Sequence, residues 1–250
     1  MRIDVLTLFP PLFEPFRNYG VVGRALGRGV AELQLWNPRD FTVDRNRTVD
    51  DRPYGGGPGM VLRPEPLQAT LQAVRVARDD GAQTILLSPQ GRRFDHAAAR
   101  SLSAGPGFIL LAGRYEGIDE RLVQAEVDEE WSIGDYVLSG GELAAMVVVD
   151  AVVRQMPGVL GDEQSAVEDS FATGLLDHEH YTRPETFLGQ RVPEVLLCGD
   201  HERIRRWRLK RALGRTWLRR PDLLSAEMGS EARALLEEFR QEYWTKVESS

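Results

Sequence analysis

Phe108-Ile109-Leu110-Leu111-Ala112-Gly113-Arg114-Tyr115-Glu116-Gly117 opens as an unbroken apolar run and closes as a polar loop between glycines. A short apolar run ended by a turn signal reads as a strand buried on both faces, the kind parallel sheets use. The same pattern recurs on either side. Thr84 to Leu87 runs into Leu87-Ser88-Pro89-Gln90-Gly91, and a strand near Trp131 runs into Ser132-Ile133-Gly134-Asp135-Tyr136-Val137-Leu138-Ser139-Gly140-Gly141. Ile3 to Phe9 and Ala31 to Trp36 add two more strands. Helical spacing falls between them: Val21 to Leu26, Glu65 to Arg78, Asp95 to Leu102 and Ile118 to Ala125. Leu143 to Met156 makes a long apolar helix stopped by Pro157-Gly158. Strands alternating with helices predict an α/β fold with a largely parallel sheet.

Open α/β sheets bind ligands beyond the C-terminal ends of their strands. Each of the three loops, taken alone, is equally well a tight turn. Side by side they favour a crevice lined by backbone, because glycine lets N–H and C=O groups approach a ligand closely. Such a crevice suits a flat polar molecule such as adenosine. No G-x-G-x-x-G follows a strand and no G-x-x-x-x-G-K-[ST] occurs, which removes support for dinucleotide oxidoreductases and P-loop NTPases. A doubly wound methyltransferase would carry a Gly-rich turn after its first strand, where this chain has Phe9-Pro10-Pro11.

The chain of 250 residues can bury one or two domains. Its 42% hydrophobic and 28% charged content is that of an ordinary globular protein. No apolar run reaches membrane-spanning length, and the first residues enter a strand directly, so no signal or transit peptide and no membrane partner is expected. The single cysteine, Cys198, excludes an intramolecular disulfide and a Cys-rich metal site, making cytoplasm the default compartment. The net charge of −7 hides its distribution: Arg203 to Arg220 holds nine Lys or Arg and no acid. Fields are screened within about 8–10 Å, so a local cationic segment can bind RNA phosphates on an acidic protein.

Four further segments carry chemistry. Arg45 to Met60 combines arginines, Asp50 and Asp51 with Gly55, Gly56, Gly57 and Gly59, either a surface loop or a nucleotide-facing one. Arg154 closes the apolar helix and Asp169 lies in a polar stretch beside Ser165 and Ser170; from the residues alone a structural role is the favoured reading for both. Asp177-His178-Glu179-His180 reads as a surface turn rather than a metal site, its ligands being crowded and without a distant partner. In Arg203-Ile204-Arg205-Arg206-Trp207-Arg208-Leu209-Lys210-Arg211, continued by Arg215 to Arg220, Ile204, Trp207 and Arg211 share a helical face, and the arginine rows fit RNA phosphates. Arg203 to Leu218 and Glu231 to Tyr243 read as helices without strands between them.

Thr48 to Met60, Gly113 to Arg121, Glu130 to Glu142, Glu168 to Phe171, His180 to Glu185 and Arg205 to Pro221, in that order, make the chain resemble the bacterial tRNA (guanine-N1)-methyltransferases of the SPOUT superfamily. The resemblance implies a parallel sheet with a deep trefoil knot toward the C-terminal side of a cofactor domain (1–160), a linker (161–175) and a small all-helical tRNA-binding domain (176–250). It also implies an obligate homodimer with active sites between subunits. S-adenosylmethionine, bent inside the knot, would touch Leu87, Ser88, Pro89, Gly113, Tyr115, Glu116, Gly117 and Ser132 to Leu138, with Gly140 and Gly141 nearby. Asp169 matches the general base at N1 of the target guanosine and Arg154 its partner there, while Asp50, Gly59 and Ser165 fall in segments around that guanosine and its neighbour. Arg203, Arg205, Arg208 and Arg215 are the expected tRNA phosphate contacts. The reaction expected is methylation of guanosine 37, beside the anticodon and preferring a preceding guanosine, with magnesium required at an unknown site and no DNA partner. Ala144 stands where the family pattern has Pro after Gly-Glu-Leu, a departure at a helix start. Competing readings are another SPOUT enzyme acting elsewhere on RNA or on a ribose oxygen, a non-catalytic RNA binder of the same fold, and a small-molecule methyltransferase.

Overall fold

The structure is a computed structural model that describes residues 1–161 and 169–249. The chain divides into two compact units, Met1–Glu163 and Gln164–Ser250.

Unit 1 is built on five parallel strands: β1 (Arg2–Leu6), β2 (Glu32–Trp36), β5 (Gln83–Arg93), β6 (Gly107–Ala112) and β7 (Glu129–Ser132), in spatial order β2-β1-β6-β5-β7. A short antiparallel pair, β3 (Asp50–Asp51) and β4 (Val61–Leu62), stands apart from it. Helices α1 (Glu14–Asn18), α2 (Gly20–Gly27), α3 (Pro64–Ala77), α4 (His96–Ser103), α5 (Glu120–Glu126) and α6 (Glu142–Val153) complete the unit. Successive strand residues point to opposite faces, and the two halves of the core follow that alternation. Ile3, Val5, Ile85, Leu87, Phe108 and Leu110 pack with Val22 of α2, Ala99 of α4 and the valines of α6. Leu6, Leu86, Ile109 and Leu111 pack with Leu67, Leu71 and Val74 of α3 and with Leu122 and Val123 of α5. The result is a three-layer arrangement with a near-continuously apolar sheet in the middle.

Local chemistry explains the helix starts. Asp95 accepts from the Ala98 amide (2.9 Å) to cap α4, and Asp119 accepts from the Arg121 amide (3.0 Å) to cap α5. Asp4 breaks the buried apolar pattern of β1. Asp4 is fully buried and ion-paired to Arg78 (2.7 Å), and it accepts from Trp36 Nε1 (2.7 Å) and Arg2 Nη2 (2.9 Å), so its charge is fully partnered.

β5 corrects the expected turn at Leu87–Gly91. The chain stays extended and re-pairs with β7 at Arg92 and Arg93 after a bulge. Gly91 permits this: a Cβ there would lie 2.5 Å from the Glu130 carbonyl carbon. Arg92 then stacks on the Trp131 ring at 3.8 Å.

Unit 2 contains α7 (His201–Arg219) and α8 (Ser230–Glu248), joined by Leu213, Leu235 and Leu236. Gly214 lies where the helices come closest, its missing Cβ occupied by the Phe239 ring. The unit is not all-helical as expected. Thr186–Phe187 (β8) and Gln190–Arg191 (β9) form a hairpin around Leu188 and Gly189, both at positive φ. Two-residue strands carry too little periodicity to register in the sequence. Among the described residues, no helix is long and apolar enough to cross a membrane.

Candidate active site

At the C-terminal ends of β6 and β7, and along the bulged Leu87–Gln90 stretch within β5, three segments line one cavity of about 400 Å³. Its walls include Leu87 to Gln90, Gly113 to Ile118, Ser132 to Gly134 and Tyr136 to Gly141. Every residue expected at the cofactor is among the lining residues except Asp135. A larger depression of about 640 Å³ runs from Glu14 and Arg17 along β2, but it contains none of these loops. The strand-end cavity is the better ligand site because backbone donors and acceptors converge there from three strands.

Glycines hold the loops together. The Gly141 amide donates to the Gly113 carbonyl (2.8 Å), and a Cβ at Gly141 would sit 2.7 Å from Ala112 Cα. Gly117 has φ +133° with nothing within 4 Å of a hypothetical Cβ, leaving bare backbone at the loop. Tyr115 adopts a left-handed φ of 59°, a conformation costly for a tyrosine and common at ligand sites.

The Arg- and Gly-rich run docks on the same loop. The Glu116 amide donates to Met60 O (2.9 Å), and the Leu62 amide donates to Gly117 O (2.9 Å). Gly59, at φ +79°, packs on the Glu116 side chain, with Cγ 2.6 Å from where a Cβ would be. Asp50 pairs with Leu62 through β3 and β4, so both Asp50 and Gly59 belong to the strip beside the 113–117 loop.

A buried ionic network, absent from the sequence reading, pins two of the loops. Glu142, the first residue of α6, is 1% exposed. Thr7 Oγ1 donates to its Oε1 (2.9 Å), and Arg114 Nε lies 2.9 Å from its Oε2. Arg114 also donates to Ser139 O (3.2 Å) and covers the Phe9 ring at 4.4 Å. The helix N-terminus favours the carboxylate, and the guanidinium compensates its burial. The available signal was Arg114 inside a loop already singled out and an acid opening an apolar helix.

Arg154 caps the C-terminal end of α6 in unit 1, its amide donating to Asp150 O (3.1 Å). Asp169 belongs to unit 2, where its carbonyl accepts from the Ala172 amide (3.1 Å). Ser165 lies outside the described residues.

In unit 2 the basic helix α7 splits by face. Arg205 pairs with Glu202 and Glu231 (both 2.7 Å), Arg206 with Glu238 (2.5 Å), and Lys210 with Glu242. Those hydrogen-bonded carboxylates raise the Arg205 pKa further above its ordinary value. Ile204, Trp207 and Arg211 share a face as expected: Trp207 meets His178 and Tyr181, and Arg211 pairs with Glu179. Burial pushes the Glu179 pKa up, but Arg211 outweighs it and the net shift is downward. Arg215 reaches Glu179 at 3.8 Å. Arg203, Arg208 and Arg219 are exposed and form no ion pair among the described residues.

A sequence model of the family described as tRNA (guanine-1)-methyltransferase TrmD matches residues 1–226. A tRNA (guanine-N(1)-)-methyltransferase of Methylococcus capsulatus is 61% identical over 244 residues, 97% of each chain. The one of Serratia proteamaculans is 58% identical over 247 residues, 98% of this chain and 97% of that one. The one of Salmonella typhi is 57% identical over 244 residues, 97% and 96% of the two chains.

Proposed function

The chain belongs to the tRNA (guanine-1)-methyltransferase family, and on that premise we propose that it methylates N1 of guanosine 37, 3′ of the anticodon, preferring a preceding guanosine. The products are 1-methylguanosine and S-adenosylhomocysteine. The observation that carries the reading is the cavity of about 400 Å³ lined by the bulged stretch of β5 and by the loops that follow β6 and β7. Its size suits a nucleoside-sized ligand. Bare backbone at Gly117 and the apolar sides of Leu87 and Leu138 fit an adenosine moiety of S-adenosylmethionine. S-adenosylmethionine supplies an already activated methyl group when bound, so no protein nucleophile is required. Cys198, exposed in unit 2, therefore has no covalent role.

The chain's own task is to align and deprotonate guanine. N1 carries a proton, and its removal builds charge toward O6. Asp169 takes that proton as general base. Arg154, permanently charged, steadies the charge at O6. Unit 1 is the cofactor-binding domain, with the trefoil knot implied by the family resemblance, and unit 2 holds tRNA through the α7 arginines. Exposed apolar residues around the cavity and on α6, among them Tyr136, Val137, Leu143 and Val147, support a homodimer that covers them. The compartment is the cytoplasm, where tRNA is matured. Magnesium is required for turnover, but no cluster of oxygen ligands among the described residues fits a dedicated magnesium cage.

Asp169→Asn tests the chemistry. Turnover falls by about 100- to 10,000-fold, the range of general-base catalysis, while affinity for S-adenosylmethionine stays within a few-fold. Turnover close to that of the unaltered protein would remove Asp169 as the base.

A further inference from the structure

The segment Asp177 to His180, which the proposed reaction does not use, brings three metal-ligating groups together. Asp177 Oδ2 and His180 Nε2 are 2.8 Å apart, and Asp177 Oδ1 and His178 Nδ1 are 3.1 Å apart. All three ligand groups lie within 4.8 Å of one another. The anchoring is not that of a loose turn. The Asp177 amide donates to Ser170 Oγ (3.0 Å), and the His178 ring packs against His180 (4.5 Å) and Trp207 (6.2 Å). The His178 side chain is only 10% exposed, and its Nδ1, although 3.1 Å from Asp177 Oδ1, makes no hydrogen bond of acceptable geometry among the described residues. A buried nitrogen left in that state costs free energy unless something else satisfies it.

We propose that Asp177, His178 and His180 form a site for one divalent transition-metal ion of the zinc class, with water completing the coordination. Two imidazoles and one carboxylate are the donor set of three-ligand zinc sites with an open fourth position. Magnesium, which takes oxygen ligands, is a poor match, so this site is separate from any magnesium requirement of turnover. Ligand atoms around a tetrahedral zinc at roughly 2.0–2.2 Å are about 3.3–3.6 Å apart. The observed separations reach that geometry with small movements, the freest being in His180, which is 70% exposed. Arg208 acts electrostatically on His178, and Glu179 is committed to Arg211, so the site binds more weakly than a structural zinc centre. A bound ion would fix the 177–181 segment against the Trp207 face of α7. From the residues alone the segment reads as a surface turn, because crowded spacing does not show that one histidine is largely buried.

The chain has four histidines and one cysteine, so rival ligands are few. The experiment is a calorimetric zinc titration, with cobalt(II) absorption as a second readout, on full-length, tag-free, chelator-treated protein. Variants are His178→Ala, His180→Ala, His201→Ala and Cys198→Ser. One ion binds per chain. His178→Ala and His180→Ala each weaken it by about 100-fold or more, at or beyond the upper end of what losing an outer-shell partner costs. His201→Ala and Cys198→Ser leave it unchanged, and millimolar magnesium does not displace it. His180 is exposed, so its variant remains informative should the buried His178 prove necessary for folding. No zinc binding below about 100 µM, binding that survives His180→Ala, or binding lost with Cys198→Ser would overturn the proposal.

Discussion

Glu142 shows what one buried charge contributes. Its carboxylate touches Thr7, just past the end of β1, and both glycine loops through Arg114, so it ties the 113–117 loop to Ser139. Removing one partner from a fully buried pair costs about 3–5 kcal/mol; the cost is less here because Arg114 remains 21% exposed. Glu142→Gln keeps the Thr7 contact and loses the charge. The affinity for S-adenosylmethionine should fall on the order of tenfold, roughly 1.4 kcal/mol, while kcat at saturating cofactor changes little. Equal loss in kcat and unchanged affinity, measured by calorimetry and initial rates, would show that the network does not shape the cofactor loops. The residue types were plain in the sequence. Their meeting was not, because Thr7 and Glu142 are 135 positions apart and only the sheet brings them together.

At the scale of elements, the long regular segments were legible and the short ones were not. α3 carries Leu67, Leu71 and Val74 on one face, and β6 is a bare apolar run; both follow from periodicity. β5 continues past Leu87 because Gly91 passes close to the neighbouring strand, a tertiary fact with no local signature. The β8–β9 hairpin is too short to read. α7 was legible as a basic helix, but the division of its charges was not, since α8 supplies Glu231, Glu238 and Glu242 only once folded. That division makes a prediction. Replacing exposed Arg208 with Ala should lower the salt slope of tRNA binding by about 1. Arg206→Ala, whose partner is Glu238, should change it by less than half as much. Equal slopes for the two variants would mean that RNA displaces the glutamates and that the folded pairing does not select the contacts.

At the scale of the whole molecule, the strand-end cavity follows from the α/β alternation and the position of the glycines, and the residues expected around it line it except Asp135. The identity of the target atom did not come from periodicity or charge; it came from ordered motifs, whose family is matched over residues 1–226. The central claim is therefore chemical, and the direct measurement is methyl transfer from labelled S-adenosylmethionine to two tRNA transcripts. One carries guanosine immediately 3′ of the anticodon and the other adenosine. The account predicts transfer to the first alone, with the label recovered as 1-methylguanosine after digestion. Label in the adenosine transcript, or recovered in a ribose-methylated nucleoside, would contradict it.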